Sequence, residues 1–166
     1  MEKKPCSESL AIKTTHIFPP DTNAGGTLFG GKLMAHIDDL AAIAARKHAR
    51  KPVVTASTDS VDFLAPITLG DFMLMEAFVT WTHRTSMEVF VKVIVEDMET
   101  GKRTMCSTAF LTFVALDDQG KPSTVPEVYP ETEQEKELHA GTEERAKHRQ
   151  KRRKRSKQMA EQFAGS

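Results

Sequence analysis

A single long apolar stretch that reads as a helix is followed by four consecutive stretches that read as strands, and this order leaves few folds open. Leu33, Met34, Ile37, Leu40, Ala41, Ile43, Ala44 and Ala45 leave little room for a solvated face until Arg46, Lys47 and His48. Such a helix is expected to be central and mostly buried. Residues 53–64, 71–83, 87–96 and 104–116 are rich in Val, Thr, Phe and Ile, which favour strands. The links between them are short: 65–71 contains Pro66 and Gly70, 83–86 is tight and polar, and 97–102 contains Thr100 and Gly101. Short links imply antiparallel neighbours. A further short strand is expected over 10–18, ended by Pro19 and Pro20. Val89, Val91, Val93 and Val95 share one strand face, with Glu88, Phe90, Lys92, Ile94 and Glu96 on the other. That is one strongly apolar face and one mixed face. One helix and such a sheet predict an α+β fold, an antiparallel sheet wrapped around a central helix.

The chain has 166 residues, enough for one ordinary domain with a real core and a tail. The domain is expected over 9–126. Beyond it, 127–166 reads as a polar, proline-punctuated linker and a basic helical tail carrying Arg145, Lys147, Arg149 and a run from Lys151 to Lys157. The tail lacks an apolar stripe of its own, so the expectation is a solvated or partly ordered appendage. Lys and Arg number 23, as do Asp and Glu. This balance, and the lack of aromatics interleaved in the tail, argues against a nucleic-acid partner. Cys6 and Cys106 lie far apart with no CxxC or zinc spacing. The N-terminus lacks the apolar core of a signal peptide and no apolar run approaches bilayer-spanning length. The expectation is a cytoplasmic protein with no membrane partner, and with Cys106 a packed strand thiol.

Candidate chemistry concentrates between Asp21 and Asp39. Gly25, Gly26, Gly30 and Gly31 form a loop able to take positive φ and to approach a ligand closely. The loop feeds the apolar helix, whose interior holds Asp38. A carboxylate on a packing surface needs a partner, and either Asp38 or Asp39 has a plain alternative role, capping nearby backbone or pairing with Arg46 or Lys47. No GxSxG, HExxH, Walker loop or post-strand GxGxxG is present, and His16, His36 and His83 are scattered. What remains suits acyl transfer to water. Gly30 and Gly31 N–H groups at the positive end of the helix dipole suit a carbonyl gaining charge. Asn23 suits the orientation of that carbonyl or of the water, and Asp38 suits a general base or a carboxylate nucleophile. Asp38 lies about 12 Å along the axis from Gly30 at 1.5 Å per residue, so an Asn on the entry loop of the same chain has far to fold back. A second subunit supplies it more simply.

The run DTNAGGTLFGG with an Asp seven residues after its last glycine, the segment SVDFLAPITLGD, the RTSMEV hairpin and the closing TAFLTFVALDDQGKPSTVP resemble the acyl-CoA thioesterases of the hotdog fold. The resemblance is to the ACOT-type group that includes YciA-like and YkhA-like bacterial hydrolases, and it covers about Ser9 to Pro126. It implies hydrolysis of acyl-CoA to a free acid and CoA, with Asn23 and Asp38 contributed by opposite subunits of a dimer, and hexamers built of three dimers. It implies no metal or redox cofactor, coenzyme A entering as part of the substrate. It further implies that Arg84, Thr85 and Ser86 hold CoA phosphate near the hairpin and the helix start, and that Val61, Asp62 and Phe63 line the pantetheine tunnel.

Two other classes compete. A hotdog module that senses acyl-CoA without hydrolysis usually carries an N-terminal helix-turn-helix, and only about ten polar residues precede the first strand here. A hotdog dehydratase needs a histidine beside the helix carboxylate, and none is suitably placed.

Overall fold

The computed structural model describes residues 1–165. Strands β1 (Lys4–Pro5) and β2 (Ala11–His16) precede helix α1 (Gly30–Ala49). Strands β3 (Val53–Phe63), β4 (Phe72–Thr82), β5 (Ser86–Glu96) and β6 (Arg103–Ala115) follow, then β7 (Val128–Tyr129), α2 (Glu133–Ala140) and α3 (Thr142–Phe163). The five long strands form one antiparallel sheet in the order β2-β4-β5-β6-β3. The β4–β5 and β5–β6 pairings follow the short links over 83–86 and 97–102. The link over 65–71, expected to join neighbours, does not: it carries the chain from β3 at one edge of the sheet past β6 and β5 to β4, so β3 pairs with β6 and β4 with β2.

One face of the sheet is packed on α1. Val89 pairs with Val79 on one side and Leu111 on the other. The alternate residues Met75, Ala77, Val91, Ala109 and Phe113 are likewise buried, as period-two alternation requires. From α1, Leu33, Ile37, Leu40, Ala41, Ala44 and Ala45 meet them. The helix ends where Arg50 turns left-handed at φ 54, its N–H reaching the Arg46 carbonyl. Pro52 then bars continuation. Met34 and Ile43 stay exposed, so α1 is central but not apolar-covered on every side within one protomer.

The opposite sheet face is covered too, contrary to the expectation of a solvated appendage. His139 Nδ1 lies 2.9 Å from the Thr80 carbonyl, tying α2 to β4. Arg145 binds Glu88 through Nε and Nη2 at 3.0 and 2.8 Å and stacks over the Phe110 ring at 4.3 Å. Glu88 is only 1% exposed. Arg149 and Arg152 reach Asp59, whose other bonds come from Ser57 and Thr112 hydroxyls. Charged residues spaced three or four apart dock this helix, and an apolar-stripe criterion does not register them. From Lys151 onward every described residue of α3 is exposed.

The connecting segment is pinned at the far end of α1. Buried His48 places Nε2 2.7 Å from the Pro126 carbonyl, and β1 pairs in parallel with β7. Burial holds the His48 pKa below its ordinary value, and its buried Nδ1 has no hydrogen-bond partner among the described residues.

Candidate active site

The glycine loop is built by Asn23. Its Oδ1 accepts from the N–H groups of Gly25 and Thr27 at 3.0 and 3.2 Å, and one Nδ2 hydrogen goes to Thr27 Oγ1 at 2.8 Å. The second Nδ2 hydrogen stays available on an exposed side chain. Of the four glycines only Gly26 takes positive φ, at 77°. Gly31 serves by close approach, since a Cβ there would sit 3.1 Å from the Phe29 ring. The helix then starts with no side-chain cap. The N–H groups of Gly30 and Gly31 are helix-terminal donors without an intrahelical acceptor. Gly30 borders an open cavity of about 250 Å³ lined also by Thr27, Leu28, Leu33, Phe63, Leu64 and Ile67.

Asp38 sits on the second turn beyond, half-buried, and its Oδ1 accepts from Thr55 Oγ1 at 2.8 Å. Neither Asp38 nor Asp39 pairs with Arg46 or Lys47 among the described residues, and Lys47 instead donates to the Leu10 carbonyl. The sequence pattern gave no sign of Thr55, because its role depends on α1 crossing β3. A hydroxyl one strand turn into the segment after a helix carboxylate is the only trace it leaves.

The remaining candidates divide into two groups. Val61, Asp62 and Phe63 close β3 beside Gly30, the Phe63 ring lying 3.9 Å from a Cβ built there. Arg84, Thr85 and Ser86 form the β4–β5 hairpin, and Ser86 pairs with Val114, which pairs with Val54. The hairpin therefore lies at the Val53 end of β3, by the C-terminal end of α1. Within one protomer it is not near the helix start, because β3 runs its full 11 residues between the two groups; the resemblance places the CoA groove at subunit contacts.

His36 Nδ1 is 2.9 Å from Lys13 Nζ, and burial together with that cation holds the ring below its ordinary pKa. Cys106 is buried and its thiol is pushed up by burial; Cys6, also buried, is pushed up to about 12. Both thiols are packed rather than activated. Among the described residues, no helix is long and apolar enough to cross a membrane.

A central helix with a carboxylate facing the edge strand, enclosed by an antiparallel sheet, defines the hotdog thioesterases. The model of the Thioesterase superfamily matches residues 25–102, and the chain belongs to this family. Its relatives include the acyl-CoA thioester hydrolase YkhA of Bacillus subtilis (strain 168), 57% identical over 127 residues, 76% of this chain and 74% of the relative. An acyl-CoA hydrolase from Staphylococcus aureus, solved with butyryl coenzyme A, coenzyme A and coenzyme A disulfide, superimposes with a TM-score of 0.96 at 49% identity. That match covers 98% of this chain and 99% of the other. Solved variants of that hydrolase replace an asparagine, an aspartate and a threonine by alanine, at positions 15 and 17 residues apart in order. Asn23, Asp38 and Thr55 have the same two spacings here. A hexameric acyl-CoA thioesterase solved without ligand matches with a TM-score of 0.89 at 50% identity, covering 92% of this chain and 97% of that one.

Proposed function

We propose that the protein is an acyl-CoA thioesterase, hydrolysing acyl-CoA to a free carboxylic acid and CoA, with Asp38 as general base or nucleophile. The observation that carries the assignment of Asp38 is its carboxylate, held by Thr55 where α1 crosses β3 and half-buried there. Thr55 occupies one carboxylate oxygen, so the other is oriented to take a proton from water or to attack. The thioester carbonyl gains negative charge, which suits the free Gly30 and Gly31 N–H groups and the second Nδ2 hydrogen of Asn23. The tetrahedral intermediate then expels the CoA thiolate, which recovers the proton. A non-catalytic sensor has no such use for a positioned carboxylate, and the relatives above are named as hydrolases.

The site is proposed to be shared. β3 is an edge strand with an unpaired side, and antiparallel pairing with a second copy about a two-fold axis sets the Val53 end of one β3 against the Phe63 end of the other. The loop over 23–30 sits at the Phe63 end, where Thr27 bridges Thr68 and the Leu28 N–H reaches the Ile67 carbonyl. Pairing therefore carries Asn23 of the partner subunit, with the partner's helix start, toward Asp38 and Thr55. It also brings the Arg84, Thr85 and Ser86 hairpin of one subunit toward Val61, Asp62 and Phe63 of the other, where together they hold CoA. Three such dimers make the proposed hexamer. The domain proper is taken as 9–126 with 127–166 as linker and tail, in a cytoplasmic enzyme that calls on no metal or redox cofactor.

Thiol release from a chain-length series of acyl-CoAs tests the activity. Asp38→Ala should lower kcat by roughly 10²–10⁴-fold, the usual range for a lost acid–base group, with the melting temperature unchanged; equal activity would refute its role. Mixing Asn23→Ala with Asp38→Ala subunits should restore about one quarter of wild-type activity if sites are shared across a two-fold dimer. No recovery after verified subunit exchange would place each site within one chain.

A further inference from the structure

We infer that the last three turns of α3 are an arm that crosses the dimer seam and docks on the outer sheet face of a second copy of this chain. This rests on the β3-to-β3 pairing proposed above. α3 crosses its own sheet in one direction. The preceding α2 is tied to β4 at Thr80, Arg145 meets Glu88 on β5 and Phe110 on β6, and Arg152 reaches the carbonyl and carboxylate of Asp59 on β3. β3 is the last strand of the sheet. Residues 153–163 continue the same helix. At 1.5 Å per residue they project about 16 Å beyond that edge, roughly three strand spacings. The length suits a second sheet continuing from β3, and nothing in this protomer lies beneath it.

The side-chain pattern points the same way. Thr142, Arg145, Ala146 and Arg149 face the sheet. At 3.6 residues per turn that stripe continues through Arg153, Ser156, Ala160 and Phe163, with Met159 on its flank. Met159 and Phe163 are 40% and 56% exposed. Lys151, Lys154 and Arg155 point away from the stripe, so their charges stay in water on either side of the seam and are screened there. Phe163 on the sheet-facing stripe and Met159 on its flank are apolar side chains at the tip of a helix otherwise this polar, as expected if that side is covered. The two-fold axis gives each subunit one arm to offer and, beside its own α3, the outer surface of β3 and β6 to receive the other.

The test uses full-length protein bearing a photo-crosslinking benzoylphenylalanine at position 163, assembled from a mixture of ¹⁵N-labelled and unlabelled chains. The expected product is a heavy–light crosslink joining position 163 to peptides from 53–63 or 103–115 of the other chain. Crosslinks within single chains only, or none, in a protein that sediments as a dimer or larger assembly would overturn the arm while leaving the β3 pairing intact. A monomer at all concentrations would overturn the pairing and the arm with it. A second measurement uses Met159→Asp with Phe163→Asp, both exposed in the protomer and so without consequence for its folding. The double variant should raise the dimer dissociation constant at least tenfold with the Trp81 fluorescence unchanged, and an unaltered constant would refute the proposal.

Discussion

The two faces of the sheet are closed by different physics. On the inner face α1 buries Leu33, Ile37, Leu40 and four alanines against alternate residues of β4, β5 and β6. On the outer face α2 and α3 are held by Glu88, Asp59, three arginines and three imidazole or cation contacts to rings and carbonyls. Apolar closure is insensitive to ionic strength and depends on volume. Ionic closure depends on each carboxylate keeping its partners, and it weakens where salt reaches it. The inner face thereby provides a rigid platform for Asp38, while the outer helix is the element that conditions in solution can release.

Substitutions on each face can break this contrast. Leu40→Ala on the inner face should cost about 3–5 kcal/mol by cavity formation, measured by urea unfolding, with the same loss in low and high salt. Glu88→Ala on the outer face should cost about 2–4 kcal/mol, because it strands Arg145 and leaves Arg149 with Asp59 alone. Its signature is different: α3 should come away from the sheet, altering the emission of Trp81, the single tryptophan, over which Arg149 lies at 5.7 Å. If Glu88→Ala leaves that emission unchanged, the outer helix is held by something other than this carboxylate.

Two smaller effects sharpen the comparison. His48 and His36 both have folded-state pKa values below the ordinary one through burial. The unfolded chain then binds more protons than the native state as pH falls through the ordinary histidine range, so stability should decline on acidification from pH 7 to 5. His48→Gln should flatten that decline, and an unchanged slope would remove His48 as its source. Arg152→Ala should cost at most about 1 kcal/mol, since Arg152 is 43% exposed and shares Asp59 with Arg149. A loss as large as that from Glu88→Ala would mean that the edge contact, rather than the buried one, anchors α3.

The sequence alone determined the core architecture. Alternation and helical periodicity are properties of consecutive residues, so the order of elements and the apolar face of β5 could be read directly. Asn23, Gly30, Gly31 and Asp38 stood out for a related reason, as residue types at odds with a loop or an apolar helix of ordinary use. Only the tertiary structure decided the rest. Thr55 holds Asp38 because a helix happens to cross a strand 17 residues later. Asp59 faces the arginines because it is itself the unpaired residue at the register shift between Thr58 and Ser60 in β3, which re-aims the strand. Arg145, Arg149 and Arg152 read as solvated charges until Glu88 and Asp59 are placed beneath them. Local patterns carry the energetics of burial, which is additive along an element, whereas a charge acquires meaning only from the partner that folding sets opposite it.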